Sequence, residues 1–236
     1  MASLADSILQ IETECCEKLL KLDFSHSKVS CVYNPLHYAK AVHESYLHQY
    51  CLGTGKKVLF IGMNPGPFGM VQTGVPFGEI RAVREFLKIE GPIEEPQFQH
   101  PLRPVKGFAT TRSEPSGARL WALFSAVSNG DPNKLFQNCV LLNYCNLAFL
   151  DDKGRNISLP ELKTADRVER VVGIGNYAFQ RLEKILRRRT DVSKQSIDIH
   201  CMLHPSPRSQ AANKPPGWQI IALKQMEDFG ILKYLK

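Results

Sequence analysis

Four short apolar runs constrain this chain more than any other feature. Val58–Ile61, Cys139–Tyr144, Val168–Val172 and Ile197–Leu203 are too short for core helices and read as strands buried on both faces. Between and after them, residues 79–90, 116–128, about 176–189 and about 218–228 carry apolar side chains at helical spacing. Strands alternating with helices form parallel βαβ units, so the expected class is α/β, with a parallel sheet in a three-layer α/β/α domain. Upstream, Leu4, Ile8, Ile11, Leu19 and Leu20 fit a helix over about 4–22, and 35–51 reads as another with Pro35 in its first turn. Residues 160–168 suggest a short helix, and the proline-rich 91–115 a long loop. Residues 1–236 are expected to form a single domain, with the N-terminal helix packed on it.

Composition bounds the function. The chain is 43% hydrophobic and 22% charged, enough apolar surface for a core and too little charge for general disorder. Lys and Arg number 30 against 23 Asp and Glu, a net +7 that suits a polyanionic partner without proving one. None of the 7 cysteines forms a Cys-x-x-Cys pair, which argues against a zinc ribbon or an iron–sulfur cluster. Several lie in apolar runs, as reduced cysteines do, so a reducing compartment is expected. The N-terminus lacks signal-peptide character and no stretch of about 18 apolar residues exists, so a soluble intracellular protein is expected, with no membrane contact.

Open parallel sheets place their sites beyond the carboxyl ends of the strands. That rule singles out loops 62–78, 143–149 and 204–217, each polar and irregular directly after an apolar run. The first, from Gly62 to Gly78, holds five glycines and three prolines, which fix an irregular path with exposed amides. Asn64 stands at the strand exit, where its amide can hold a water or a base edge. Phe68 and Phe77 offer flat faces to a planar ligand, although either alone would suit a tight turn with a core ring. In the last loop His204 can donate to a developing anion, while Arg208 and Lys214 can meet phosphates. Alone, His204 would equally read as a structural histidine.

GMNPGPFGMVQTGVPFGE at the first loop and HPSPRSQAANK at the last resemble the signature segments of the single-strand-selective monofunctional uracil-DNA glycosylases. VYNPLHYA, RPVKGF, SGARLW and NYCNLAFL extend the resemblance from about residue 30 to the end. It implies a four-stranded parallel sheet in the order 2-1-3-4 between helices, with 58–61 and 168–172 central. It implies hydrolysis of uracil, 5-hydroxymethyluracil and related oxidised pyrimidines from single- and double-stranded DNA, by a nuclear monomer without metal or cofactor. Asn64 would position the water and His204 would stabilise the uracil anion. Asn143 would read the base edge and Phe77 would stack on the base. Met63, Gly66 and Met70 would line the pocket near C5, with Gly66 leaving room for a 5-substituent. Pro205, Ser206, Pro207, Arg208, Asn213 and Lys214 would contact DNA.

Two departures from the family pattern are the short 151–167 connection and Pro215-Pro216. Gly173-Ile174-Gly175 fits a nucleotide-binding pattern but falls late in the chain, where a tight strand–helix turn is the simpler reading. Arg187-Arg188-Arg189 reads as a solvated helix end. Two other functions stay open: a mismatch-specific thymine/uracil glycosylase, which shares an Asn-Pro-Gly loop, and a non-catalytic DNA- or abasic-site-binding module.

Overall fold

A computed structural model describes residues 3–24, 27–53, 55–157, 170–186 and 198–235. The expected helix at 160–168, the strand start at 168, Arg187–Arg189 and Ile197 lie outside them. The strands are β1 (Cys31–Tyr33), β2 (Val58–Gly62), β3 (Cys139–Asn143), β4 (Ala148–Leu150), β5 (Asn156–Ile157), β6 (Arg170–Ile174) and β7 (Asp198–Met202). The helices are α1 (Leu4–Leu20), α2 (Pro35–Tyr38), α3 (Lys40–Tyr50), α4 (Met70–Thr73), α5 (Pro115–Val127), α6 (Pro132–Phe136), α7 (Asn176–Leu186) and α8 (Trp218–Asp228). The chain divides into two compact units. One comprises Met1–Leu52, Asn64–Glu114 and Cys145–Leu159, and the other Gly53–Met63, Pro115–Tyr144 and Pro160–Lys236.

The second unit holds the parallel sheet, in the order β3-β2-β6-β7, which is the expected 2-1-3-4. β2 pairs Val58–Gly62 with Cys139–Asn143 on one side and Val58–Ile61 with Arg170–Gly173 on the other. Alternation of side chains then builds three layers. Phe60 points to one face, with its ring 5.0 Å from Phe124 of α5, which in turn meets Trp121 at 5.7 Å. Trp121 also meets Phe136 of α6, a helix the periodicity missed. α6 spans five residues, too few for a periodic signal, but Asp131 caps it and Pro132 opens it. Ile61 points to the other face with Val171 and Ala178 of α7.

The first unit contains an antiparallel sheet, β1-β4-β5, that the sequence reading did not anticipate. Its strands run two or three residues, too short to show alternation. Tyr33, Ala148 and Leu150 of this sheet pack with Tyr38, Ala39 and Val71. Two further expectations shift. The helix foreseen over 35–51 breaks at Ala39 into α2 and α3. The helix foreseen over 79–90 is shorter, covering 80–86, and widens at Ala82–Phe86, where Leu87 N–H reaches back five residues to Ala82 O; Lys88, at φ 54°, follows it.

α1 is anchored by charge as well as by apolar contact. His43 of α3 is fully buried, and its Nδ1–H donates to Gly74 O at 2.7 Å, leaving Nε2 2.8 Å from Glu12 of α1. Burial disfavours protonation of His43, but the Glu12 carboxylate and the Gly74 carbonyl outweigh it, so the pKa rises above 6.5. Replacing His43 by Leu strands a buried carboxylate and is expected to cost about 3–5 kcal/mol in denaturant unfolding. Because the folded pKa is raised, the pair's contribution is complete below the ordinary histidine pKa and is lost as pH climbs through the raised value. That loss of stability with rising pH should be absent from His43→Leu.

Candidate active site

In the first unit the chain enters the glycine-rich loop at Asn64, the second residue past the end of β2. The Asn64 amide is held by Asn156 of β5. Asn64 Nδ2 donates to Asn156 Oδ1 at 3.1 Å and to Ile157 O at 3.3 Å, and Asn156 Nδ2 donates back to Asn64 Oδ1 at 3.3 Å. Both hydrogens of Asn64 Nδ2 are thereby engaged, and one lone pair on Oδ1 remains to accept from a ligand or water. Asn156 is itself presented by a turn in which Asp151 Oδ1 accepts from Lys153 and Arg155 N–H and Asp151 Oδ2 accepts from Arg155 Nε at 2.6 Å.

The rest of this loop is shaped by contacts from far along the chain. Gln72 is buried and donates from Nε2 to Pro67 O at 3.0 Å and Pro104 O at 3.1 Å, while its Oε1 accepts from Lys106 N–H. Gly66 was expected to open space, yet the space that its missing side chain leaves, like that at Gly69, is already filled. A Cβ at Gly66 would lie 2.2 Å from Glu114 Oε1, and one at Gly69 only 1.6 Å from Glu114 Oε2. Glu114 Oε2 is buried with no hydrogen-bond partner. Burial, with the Glu79 carboxylate nearby, pushes the Glu114 pKa up to about 7. Met70 is fully buried. Phe77 is nearly buried at φ 52°, a left-handed conformation uncommon for an aromatic residue and often found at functional positions. Gly78 follows it, and a Cβ there would fall 2.0 Å from Thr73 Oγ1.

In the second unit the carboxyl edge of the sheet carries Met63, Asn143 and His204. Asn143 closes β3 opposite Gly62 in the parallel register, Met63 follows Gly62, and His204 stands two residues past β7. His204 Nδ1 accepts the Ser206 backbone N–H at 3.1 Å. An amide can only donate, so the proton of a neutral ring resides on Nε2. Burial lowers the His204 pKa below 6.5 and keeps the ring neutral at pH 7. Gly175, at φ 90°, lets the ring close in, since a Cβ there would sit 3.0 Å from His204 Cδ2. A Cβ on Gly173 would collide with Phe179 backbone at 2.4 Å. The Gly173–Gly175 pattern is thus a strand-to-helix packing device that also seats His204.

The loop after His204 is closed by Arg119 of α5. Arg119 Nη1 donates to Pro205 O at 3.1 Å, and both Nη1 and Nη2 reach Asn213 Oδ1 at 3.3 Å. Asn213 Nδ2 donates to Pro207 O. Asn213 therefore spends its amide holding the loop. Pro205 is buried and Ser206 half-buried, while Pro207, Arg208 and Lys214 are exposed. The sequence reading missed Arg119, Asn156, Gln72 and Glu114. Arg119 and Gln72 lie in segments that carry the family resemblance, whereas Asn156 and Glu114 gain their roles only through contacts with residues distant in sequence. Among the described residues no cluster suits a metal ion, no disulfide joins the cysteines, and no helix is long and apolar enough to cross a membrane.

Residues 49–226 match the Uracil DNA glycosylase superfamily. The single-strand selective monofunctional uracil DNA glycosylase of Bos taurus is 42% identical, across 99% of this chain and 89% of that protein. The Mus musculus protein of the same name is 40% identical, across 99% and 87%. The crystal structure of wild-type SMUG2 from Pedobacter heparinus superposes with a TM-score of 0.62 over 99% of both chains at 18% identity, which shows a shared fold.

The Glu114 contact makes a specific stability prediction. Gly69→Ala should destabilise the protein, and Glu114→Ala should relieve most of that cost, so the double-mutant cycle should be strongly non-additive. Additive losses would mean that the two positions do not touch. The raised Glu114 pKa also makes stability fall as pH rises from about 4.5 to about 7, because the unfolded carboxyl ionises first. Glu114→Gln should remove that part of the pH dependence of Tm.

Proposed function

The chain belongs to the uracil DNA glycosylase superfamily, in its single-strand-selective monofunctional branch, and on that premise we propose that it hydrolyses the N-glycosidic bond of uracil, 5-hydroxymethyluracil and related oxidised pyrimidines in single- and double-stranded DNA. The observation that carries this reading is the hydrogen bond from Ser206 N–H to His204 Nδ1. A neutral ring with its proton on Nε2, fixed by the Ser206 N–H on the other nitrogen, is a preorganised donor for an oxyanion.

A target base within a duplex is extruded before reaction, and a single strand offers it directly. As the C1′–N1 bond breaks, its electron pair leaves with the base and negative charge collects on uracil O2, where His204 Nε2–H donates. The sugar becomes cationic at C1′. Water, held by the remaining lone pair of Asn64 Oδ1, adds to C1′ and releases its proton to solvent, leaving an abasic site. Asn143 accepts from uracil N3–H and donates to O4, and Phe77 stacks on the ring. Met63, Gly66 and Met70 flank C5. Pro205 to Arg208, with Lys214, meet the DNA. Positions 64 and 204 hold no lysine, so no Schiff base forms there and the strand is left intact.

The decisive assay is release of free base from oligonucleotides carrying uracil, 5-hydroxymethyluracil or thymine, followed by alkali cleavage. Uracil and 5-hydroxymethyluracil should be released and thymine retained. Efficient thymine release from a thymine:guanine duplex would instead mark a mismatch-specific enzyme, and binding to abasic DNA without any release would mark a binding module. His204→Leu should lower the single-turnover rate ~10²–10³-fold, as loss of one oxyanion donor does. Asn156→Ala, by releasing the Asn64 amide, should lower that rate roughly 10-fold with DNA affinity unchanged. An equal fall in both would point to misfolding.

A further inference from the structure

Phe68, in the loop that begins at Asn64, does not present open faces to a planar ligand. The Arg112 guanidinium lies 4.1 Å from its ring centroid and that of Arg103 lies 5.2 Å from it. Both distances fall within the range of cation–π attraction. We propose that Arg103 and Arg112, gathered on Phe68, form an anchor for backbone phosphates of the DNA strand, separate from the loop after His204. The inference rests on the glycosylase reading for the identity of its ligand.

Three observations carry it. First, the two like charges share one ring without a counter-ion. Residues 103–112 contain Arg103, Lys106 and Arg112 and no acid, and among the described residues no carboxylate forms an ion pair with any of the three. The neighbouring Arg84, 5.0 Å over Phe108, shows the ordinary surface alternative, because Glu90 balances it at 2.8 Å. Second, Arg103 is held in place for a task. Its carbonyl accepts from Tyr33 Oη at 2.7 Å, its Nη1 donates to Leu102 O, and Gly154 packs against its Cγ. Its Nε is nonetheless buried without a partner. Third, Arg112 is exposed, and its guanidinium can present flat, forked donors of the kind that match phosphate oxygens. Phosphate contacts of this kind orient a strand without reading its sequence.

The test is the salt dependence of binding to a single strand carrying a stable abasic analogue, between about 50 and 200 mM salt. Arg112→Gln should reduce the slope of log Kd against log salt by about 0.7 and weaken binding several-fold at the low-salt end, whatever the flanking sequence. Arg103→Gln should act in the same direction. Arg112→Lys should keep most of the slope, and Phe68→Leu should lose part of it by releasing both guanidiniums. An unchanged slope in Arg112→Gln, with wild-type Tm and active enzyme, overturns the anchor and leaves the glycosylase reading intact. A reduced slope in a protein that releases no base supports the anchor and overturns the glycosylase reading.

Discussion

β2 is hydrogen-bonded in parallel on both sides, and the positions of the functional groups in the second unit follow from that pairing. Parallel strands all end at the same edge, so the chain turns out of β2, β3 and β7 along one border. The register is fixed by the alternation of Phe60 toward the aromatic helices and Ile61 toward α7. A slip of one residue would reverse both faces and carry Asn143 out of line with Gly62. Sheet burial therefore fixes where Met63, Asn143 and His204 stand before any of them meets a ligand.

The loops are held by partners distant in sequence more than by their own turns. Asn64 is aligned by Asn156, the Pro67 carbonyl by Gln72, and the histidine loop by Arg119. In each case a side chain on a short strand or helix satisfies backbone or amide groups that an irregular loop cannot satisfy internally. Close packing also accounts for several glycines. Gly66 and Gly69 admit Glu114, Gly173 admits the start of α7, and Gly175 admits the imidazole of His204. These are close approaches of protein to protein.

Charge is used sparingly and in distinct ways. Although burial opposes it, the facing Glu12 carboxylate raises the pKa of His43, whereas burial lowers that of His204. Two histidines of one chain thus shift in opposite directions. The Glu114 pKa rises for the reason that lowers that of His204, since a buried group avoids its charged form whatever that form's sign. The Phe68 guanidiniums are the contrasting case, in which like charges are brought together and, among the described residues, neither forms an ion pair.

Sequence by itself determined the α/β class, because strand runs such as Val58–Ile61 and helices such as Trp218–Asp228 are each encoded by local periodicity. Together with the resemblance of its loop segments to a known family, it also supplied the strand order and singled out Asn64, Asn143 and His204 as candidates. Elements without a period stayed invisible: the two- and three-residue strands of β1-β4-β5 and the five-residue α6. What fixes each functional group came only from the folded chain. The proton on His204 Nε2 depends on where the Ser206 N–H points, the free lone pair of Asn64 on a partner 92 residues away, and the crowding at Gly66 on Glu114. Pairing between distant residues leaves no local pattern to read, and a hydrogen bond or a steric contact exists only once three-dimensional packing has brought its two ends together.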